Sequence, residues 1–323
     1  MGESVKPQRI SGNSLGGAMN VQVVCGLLLF CVYDVAARTI MEALASRYDI
    51  MSFSSLVRRA GMESLLNTGK YTVFAPVDAA FQALPEQMIS QLYRKENLPQ
   101  LKALVKYHIV PYTGNTHRHW TGEKVNTLAS KPVRMVTYPH NKVTVVNGVV
   151  LTESNLSVSN GHIYLLSTTL AAPSGDIVKS LQQDSTYSKF LTAAALSGMT
   201  NKLKEDNITV LAPSDDAFLK MNKTRTDALF NNVPLLRALV EFHILPGVYY
   251  SYGWYNKQDI HDNNPKYDIT YTVHEYGNHL FWITPFDGSV WNQDWLATNG
   301  VIHSISGVKY TWPFIGDLNK IIG

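Results

Sequence analysis

The chain has 323 residues, of which 45% are apolar and 16% charged, with 28 Lys and Arg against 25 Asp and Glu. This balance excludes a disordered chain, and the length predicts about two domains. A net charge of +3 is too small to indicate a nucleic-acid or membrane-surface protein by itself. The two cysteines, Cys25 and Cys31, are too few for a multi-disulfide scaffold or a zinc site with four thiolates.

An apolar run near the amino terminus has the length of a signal-peptide core. Val21–Tyr33 is thirteen residues long, which is shorter than the ~20 apolar residues that span a bilayer. Small residues at 35–37 suit signal peptidase, so we expect cleavage after Ala37 and loss of both cysteines with residues 1–37. The alternatives are a buried or signal-anchor helix, and translation that starts at Met19.

Entry into the secretory route gives meaning to three Asn-x-Ser/Thr sequons, at Asn155, Asn207 and Asn222. The carboxyl-terminal segment 313–323 is short and charged, which argues against a lipid anchor or a membrane span there. The sequence therefore predicts a secreted, extracellular protein with glycans at these asparagines.

Three sequence blocks occur twice, in the same order and at nearly constant separations of 137, 135 and 139 residues. The pairs are Tyr71–Phe81 with Ile208–Phe218 (seven of eleven identical), Leu98–Pro111 with Val233–Pro246 (eight of fourteen) and Asn160–Leu170 with Asn299–Lys309 (four of eleven). Such repetition predicts two copies of one domain of about 135 residues. We place the copies at 38–173 and 174–312, with a linker at Ala171–Gly175 and a tail at 313–323.

The first block predicts a buried strand followed by a short helix. Thr72–Ala75 and its counterpart 209–212 are β-branched and apolar, and a proline ends each run. Asp78 and Asp215 follow, where we expect their carboxylates to cap the free N–H groups of the short helix. Helical stretches precede each strand, at 53–66 and 176–203.

The second block predicts a helix with proline near its first turn, Pro99 or Pro234. His108 and His243 fall on the apolar stripe of this helix. The third block is an Asn-Gly turn followed by an alternating strand, which is typical of a hairpin. Strand-like segments at 142–146 and 268–273 complete each unit, and helices followed by strands predict an α+β fold.

These blocks resemble the fasciclin-type domain family. Thr72–Phe81 and Thr209–Phe218 match its first motif, and Tyr107–Pro111 matches its Tyr-His motif, in which the second copy has Phe242 for tyrosine. The closing Asn-Gly-x-Ile-His motif is complete at Asn299–His303. In the first copy Tyr164 replaces that histidine.

The resemblance implies two tandem domains, each a wedge-shaped β-sandwich with a helical cap, in a secreted or cell-surface protein with adhesive or matrix-binding work. It implies integrin binding by the Tyr-His segments, which makes Tyr107, His108, Phe242 and His243 candidate partner-binding residues. The alternative is that both histidines are hydrogen-bonded core residues. We interpret Asp78, Asp215 and His303 as structural members of the family motifs.

The two copies carry opposite charge: Lys and Arg exceed Asp and Glu by fourteen to eight over 38–173, whereas the acidic residues exceed the basic ones by fifteen to twelve from 174 onward. Opposite signs favour head-to-tail contact, or sulfated-glycan binding by the first copy, against the alternative of ordinary surface drift. The candidate glycan-binding residues are Lys102, Lys106, Arg118, Lys124, Lys131 and Arg134.

The second copy is rich in aromatic residues, which usually form core and strand pairs. An alternative is a ring-lined groove that binds a small apolar ligand such as a carotenoid. Some fasciclin-like proteins resemble carriers of carotenoid pigments, so the family resemblance offers a precedent for this alternative. The aromatic residues concerned are Tyr249, Tyr250, Tyr252, Trp254, Tyr255, Phe281, Trp282, Phe286, Trp291 and Trp295.

Catalytic and metal-binding patterns are weak in this sequence. No Gly-x-Ser-x-Gly elbow presents a nucleophile, and His117-Arg118-His119 is a poor metal site without a nearby carboxylate or thiol. We therefore predict no enzyme activity, cofactor, metal or nucleic-acid partner, and a protein that binds a cell-surface receptor (integrin-like), a matrix protein or a glycosaminoglycan.

Overall fold

The computed structural model describes residues 38–111, 121–261, 270–276, 281–284, 286 and 288–308. The predicted signal-peptide segment 1–37, Arg118 and the predicted tail 313–323 lie outside these residues. The described part forms two similar α+β units, each built on one seven-stranded sheet. We refer to them as the first and second domains, and the α+β prediction is confirmed.

The first domain begins with helices and continues with strands, as the sequence predicts. Its helices are α1 (Ile40–Ser46), α2 (Met51–Arg59), α3 (Glu63–Thr68), α4 (Asp78–Gln82), α5 (Glu86–Leu92) and α6 (Leu98–Tyr107). Its strands are β1 (Tyr71–Pro76), β2 (Ile109–Pro111), β3 (Thr121–Asn126), β4 (Pro132–Thr137), β5 (Thr144–Val146), β6 (Val149–Val158) and β7 (Gly161–Leu166).

The second domain repeats this order with fewer helices before its first strand. Its helices are α7 (Ile177–Gln182), α8 (Ser188–Leu196), α9 (Asp215–Leu219), α10 (Lys223–Phe230) and α11 (Val233–Phe242). Its strands are β8 (Ile208–Pro213), β9 (Ile244–Pro246), β10 (Gln258–His261), β11 (Thr270–Glu275), β12 (Phe281–Thr284), β13 (Ser289–Ala297) and β14 (Gly300–Ile305).

Both sheets have the same topology. The strand orders are β2-β1-β7-β6-β5-β4-β3 in the first domain and β9-β8-β14-β13-β12-β11-β10 in the second. β1 pairs parallel with β7, and β8 pairs parallel with β14, whereas the other pairs are antiparallel. The first and last blocks of the repeat are therefore neighbours in the sheet.

Alternation along the central strands separates two apolar layers in each domain. In β1, Val73 and Ala75 face the helices, whereas Phe74 packs into a second cluster with Val133 and Met135 of β4. β8 divides in the same way, because Val210 joins the helical core and Leu211 joins the aromatic core of the second sheet. The sheet is thus folded over itself as a sandwich, and the helices cover one outer layer.

Each sheet bends over itself at the point where its longest strand has register shifts. β6 is irregular between Leu151 and Leu156, and β13 is irregular between Val290 and Trp295. Asn155 (φ 59°) and Asp294 (φ 57°) hold equivalent left-handed positions there, 139 residues apart. Bulges of this kind bend a strand and increase its twist, so they allow one sheet to supply both layers of the sandwich.

Helices occur in the predicted stretches 53–66 and 176–203 and in the repeated blocks, whereas α1, α5 and α10 were not predicted. In the part of the chain that the structure describes, no helix combines the length and apolar character that crossing a membrane requires. The domain boundaries at 38–173 and 174–312 stay predictions. The linker is held in place, since the Gly175 carbonyl accepts a hydrogen bond from the Thr298 N–H at 2.9 Å.

Candidate functional site

The Tyr-His residues of the first domain lie at the end of α6 and are buried. The Tyr107 hydroxyl donates to the Pro132 carbonyl (3.0 Å) and accepts from Asn147 Nδ2 (2.7 Å). Only 2% of Tyr107 is exposed, and burial raises its pKa above the usual value for tyrosine. The hydroxyl therefore joins α6 to β4 and to the turn that follows β5.

His108 is fully buried and hydrogen-bonded through both ring nitrogens. Nδ1 lies 2.9 Å from the Leu104 carbonyl, and Nε2 accepts from the Leu170 N–H at 3.0 Å. This pattern requires a neutral ring with the proton on Nδ1. Burial lowers the pKa of His108 to about 4, opposed by the hydrogen bond to Leu104. The ring also packs on Phe53, with centroids 5.5 Å apart.

The second domain places Phe242 and His243 in the equivalent positions, and both are buried. His243 Nδ1 lies 2.7 Å from the Leu239 carbonyl, and its ring packs between Phe190 and Phe286. Phe242 has no hydroxyl, but the Tyr271 hydroxyl reaches its carbonyl at 2.9 Å from the opposite layer. The bridging hydroxyl therefore comes from a different element in each domain: Tyr107 of helix α6 in the first and Tyr271 of strand β11 in the second.

The four Tyr-His residues thus have packing and hydrogen-bonding roles inside the domains. In this fold their side chains do not reach a partner in solution. Their predicted role in partner binding stays a prediction, and it requires that they act through the surface they support.

Asp78 and Asp215 cap helices, but not the helices that we expected. They are the first residues of α4 and α9, and their carboxylates reach back to the preceding helices. Asp78 Oδ1 accepts from the Ser52 N–H of α2 (2.7 Å), and Asp215 Oδ1 accepts from the Lys189 N–H of α8 (2.8 Å). Each carboxylate therefore ties the end of the first strand to a helix about 26 residues earlier.

The side chain of the asparagine in each Asn-Gly turn joins several backbone segments, whereas the sequence pattern predicts only a turn. Asn160 Oδ1 accepts from the Ile40 N–H (2.7 Å), and its Nδ2 donates to the carbonyls of Leu66 (2.8 Å) and Gly69 (2.7 Å). Asn299 makes the same three bonds in the second domain, to Ile177, Leu203 and Glu205. The identity of both asparagines across the repeat is the pattern that points to this role.

The glycine after each asparagine permits a close approach of two strands. A Cβ at Gly161 would lie 1.8 Å from the Tyr71 carbonyl oxygen, and one at Gly300 would lie 1.9 Å from that of Ile208. Any other residue would push the two strands apart.

The closing-motif histidine is buried in the second domain. His303 Nε2 lies 2.8 Å from the Tyr249 carbonyl, and Nδ1 accepts from the Asp294 N–H at 3.3 Å. Burial lowers the pKa of His303, and the Asp294 carboxylate opposes that shift. In the first domain Tyr164 stacks on Phe74 instead, which leaves an apolar core at that place.

The two domains contact each other through a mixed apolar and charged surface. One side is the first outer face, which we define as Lys124, Arg134, Val136, Val145 and Val150 on strands β3–β6. The other side is the second domain end, which we define as Asp206, Asn207, Val248, Tyr250, Leu296 and Val301. Val145, Tyr250 and Val301 form the buried centre of this contact.

Tyr138 extends the contact beside the first outer face. Its hydroxyl accepts from the Tyr250 N–H at 3.0 Å, and its ring lies against Gly253. A Cβ at Gly253 would lie 2.0 Å from the Tyr138 ring. Asn141 Nδ2 adds a hydrogen bond to the Tyr252 carbonyl at 2.9 Å. The domains are therefore held in one arrangement by specific contacts as well as by the linker.

The contact also uses the charge difference between the domains. Lys124 forms an ion pair with Asp206, and Arg134 Nη2 lies 3.7 Å from the same carboxylate. Arg134 Nη1 donates to Asn207 Oδ1 at 3.0 Å, and only 8% of Arg134 is exposed. Part of the predicted charge complementarity therefore acts inside the molecule.

The six candidate glycan-binding residues do not form one surface patch. Arg134 is buried and Lys124 is paired, both by the second domain, whereas Arg118 lies outside the described residues. Lys131 is exposed and donates to the Pro173 carbonyl at 3.2 Å. Lys102 and Lys106 are exposed one turn apart on α6 and remain open to an anionic partner.

The aromatic residues of the second domain divide between core and surface. Tyr250, Trp254, Phe281 and Phe286 are buried, and Trp254 packs on both Phe281 (5.0 Å) and His303 (4.4 Å). These four rings pack in the core of the second sheet, so they do not line the ligand groove that was the alternative prediction. Among the described residues, no three His, Cys, Asp or Glu side chains come together in a way that could hold a metal ion.

The comparisons with known proteins agree with the repeat. The sequence model of the Fasciclin domain matches residues 49–172 and 185–308. Transforming growth factor-beta-induced protein ig-h3 of Sus scrofa is 28% identical over 241 residues, which are 73% of this chain and 34% of that protein. Periostin of Homo sapiens is 23% identical over 267 residues, 80% of this chain and 30% of periostin.

Two further similarities concern a shorter protein and a solved structure. Immunogenic protein MPB70 of Mycobacterium bovis is 35% identical over 108 residues, 33% of this chain and 53% of that protein. The solved FAS1 domain pair from the insect cell adhesion molecule fasciclin I covers 80% of this chain and 96% of its own, with 15% identity and a TM-score of 0.40. The chain spans about a third of the length of ig-h3 and of periostin.

The caps made by Asp78 and Asp215 are testable against a neighbouring carboxylate. We expect Asp215→Ala to lower the free energy of unfolding by about 1 kcal/mol, because the α8 N–H loses its acceptor. Asp216→Ala is the matched control, since Asp216 is the next residue of the same helix and is exposed. Urea unfolding followed by circular dichroism measures both, and equal effects of the two substitutions would contradict the cap assignment.

The buried neutral histidines predict acid sensitivity. The pKa of His108 is lowered from 6.5 to about 4, so the unfolded chain binds a proton that the folded domain does not bind between these values. We expect its contribution to stability to be complete above pH 6.5 and to be lost as pH falls toward 4, up to about 3 kcal/mol. The lowered pKa of His303 acts in the same direction.

Urea titrations at pH 7.5 and pH 5 measure this loss. We expect His108→Gln to reduce the difference between the two pH values, because glutamine offers an acceptor to Leu170 and does not titrate. His261→Gln, at an exposed position on β10, is the control. The assignment fails if His108→Gln keeps the full pH dependence of the wild type.

Proposed function

Because the chain is a member of the fasciclin-domain family, we propose that it is a secreted adhesion or extracellular-matrix-associated protein that binds its partners without catalysis. The partner classes are an integrin-like cell-surface receptor, a matrix protein or a glycosaminoglycan. The family membership supports adhesive work in general, and the structure supports the way in which the two domains would cooperate.

The observation that carries this proposal is the specific contact between the domains. Tyr138, Val145 and Tyr250 hold the two units together, so surfaces on both domains keep a constant separation. When two modest contacts are held at a constant spacing, the second forms at a high effective concentration. A domain pair of this kind binds an extended or clustered partner more strongly than two independent domains would.

The histidines favour binding over acid–base chemistry. His108 and His303 are buried, neutral and occupied by backbone groups. A general acid or base must reach the proton that it transfers, and these rings do not face solvent. We propose that the Tyr-His residues support the partner-binding surface from inside the domains.

Adhesion can be measured with the secreted full chain coated on a surface. We expect cells to attach to the wild type, and Tyr138→Ala to raise the coating density needed for half-maximal attachment several-fold, because the domains lose their constant spacing. Tyr48→Ala is the control, since Tyr48 is 87% exposed on the first domain. Inhibition by soluble heparin would identify a sulfated glycan as the partner, with Lys102 and Lys106 as the contact residues to replace next.

Two outcomes would contradict parts of this proposal. Attachment no better than to albumin would remove the adhesive function, and a visible absorbance band in the natively purified protein would favour the carrier alternative. Loss of attachment in Tyr107→Phe at an unchanged melting temperature would agree with the supporting role of that hydroxyl, whereas unchanged attachment would remove Tyr107 from the site assignment.

We propose that Asn222 carries a glycan in the secreted protein. Its Oδ1 caps α10 by accepting from the Arg225 N–H (2.8 Å), and the residue is exposed. Asn155 is half-buried in the β6 bulge, and Asn207 is exposed with its Oδ1 bonded to Arg134. We expect Asn222→Gln to reduce the mass lost on enzymatic deglycosylation by one glycan. An unchanged loss in this variant would contradict the assignment.

A further inference from the structure

The two domains have equivalent outer faces, and the strand register identifies the matching residues. Leu151 pairs with Leu166 in the first domain, and Val290 pairs with Ile305 in the second, each exactly 139 residues further on. By this register Val150 matches Ser289, and their strand partners Val145 and Trp282 match in turn. The same pairing matches Val136 with His274, Arg134 with Thr272, Lys124 with Asp259, and Tyr138 with Tyr276.

The first outer face is covered, whereas its counterpart is open. Val145 is fully buried by the second domain end. Trp282, at the same position of the second domain, is 36% exposed, and Tyr276, at the position of Tyr138, is 66% exposed. Trp291 beside them is 51% exposed. We call this surface the second outer face: Asp259, Thr272, His274, Tyr276, Trp282 and Trp291.

The charges at these equivalent positions differ between the domains, and the sign is reversed where Asp259 matches Lys124. The first outer face presents Lys124 and Arg134 to Asp206 of the second domain end. On the second outer face Asp259 takes the place of Lys124. On the first domain, Lys70 takes the place of Asn207, which is the residue after Asp206. Asp259 and Lys70 are both exposed.

At the matching end of the first domain, the described residues Lys70, Ser157 and Ser159 are exposed and His162 is half-buried. We call it the first domain end: Lys70, Ser157, Ser159 and His162, which surround a surface depression. Ser157 and His162 take the places of Leu296 and Val301 in the second domain end. This end is therefore more polar than its counterpart, and the hydroxyl and indole N–H groups of tyrosine and tryptophan suit such a surface.

We propose that the second outer face binds the first domain end of another copy of this chain, which repeats between molecules the contact that joins the domains within each molecule. Asp259 of one copy faces Lys70 of the next. Like charges disfavour two other arrangements. A contact between two second outer faces would bring Asp259 against Asp259, and a contact with the second domain end would bring Asp206 against Asp259. Of the two defined surfaces that are not already joined within the molecule, the head-to-tail arrangement is the one that brings a carboxylate, Asp259, against a cation, Lys70.

The contact joins two different surfaces, so it leaves one surface of each kind free after every addition. Such heterologous contacts produce open chains or closed rings and do not stop at a dimer. With one ion pair and a partly polar end, the contact belongs to the weak class that is populated at high local concentration. This inference stands independently of the proposed adhesive function.

Charge-reversal complementation tests the proposal on the full secreted chain. Sedimentation velocity of the wild type should show a weight-average mass that rises with protein concentration beyond that of a dimer. Lys70→Asp and Asp259→Lys should each weaken association about tenfold, since each replaces an attraction by a repulsion. An equimolar mixture of the two variants should associate again, because each supplies the charge that the other lacks.

Trp282→Ala should also weaken association about tenfold, because the ring is at the centre of the face. Lys95→Asp, at an exposed position just before α6, is the control and should leave association unchanged. Circular dichroism of each variant checks that the fold is retained. A wild type that stays monomeric overturns the proposal. It is equally overturned if Lys70→Asp has no effect while Trp282→Ala does, because the occupant is then another second outer face or the chain's own carboxyl-terminal segment.

Discussion

Each domain depends on one asparagine whose side-chain amide ties three separate segments together. Asn160 accepts from the first N–H of α1 and donates to two carbonyls in the turn before β1. A helix terminus and a turn both leave backbone groups without partners, and leaving such groups buried costs about 1–3 kcal/mol each. Asn299 solves the same problem in the second domain with the same three bonds.

The remaining framework follows from that junction. Gly161 brings β7 against β1, and the parallel pair then carries both the helical core on one side and the sandwich core on the other. His108 closes the sandwich by accepting from Leu170, which leads directly into the linker. The asparagine, aspartate and histidine that are identical in the two copies therefore satisfy backbone polar groups, and they stand among identical apolar positions of the core.

Duplication produced two similar units whose surfaces then became different. Val145 is covered by the second domain, whereas Trp282 at the same position is open. Lys124 and Arg134 meet Asp206, whereas Asp259 occupies the place of Lys124. A small net charge conceals this arrangement, because opposite charges on the two domains cancel in the sum and yet meet at the contact.

Several residues were assigned to the wrong neighbours by sequence reasoning, for one physical reason. Asp78 lies next to α4 along the chain, but its carboxylate caps α2 because β1 ends beside that helix. Arg134 reads as a surface cation, but the second domain buries it. Trp254 and Phe286 were expected in the core, with a ligand groove as the alternative, and the packing of the second sheet places both in the core.

The sequence by itself determined the repeat, the family, the α+β class and the helices and strands inside the repeated blocks, because these depend on local periodicity and on identities between the two copies. Tertiary structure alone decided which polar groups meet: the amide of Asn160 with α1, the carboxylate of Asp215 with α8, and the cations of the first outer face with Asp206. Hydrogen bonds and ion pairs form between atoms that are close in space, and chain folding brings together residues that no local pattern relates.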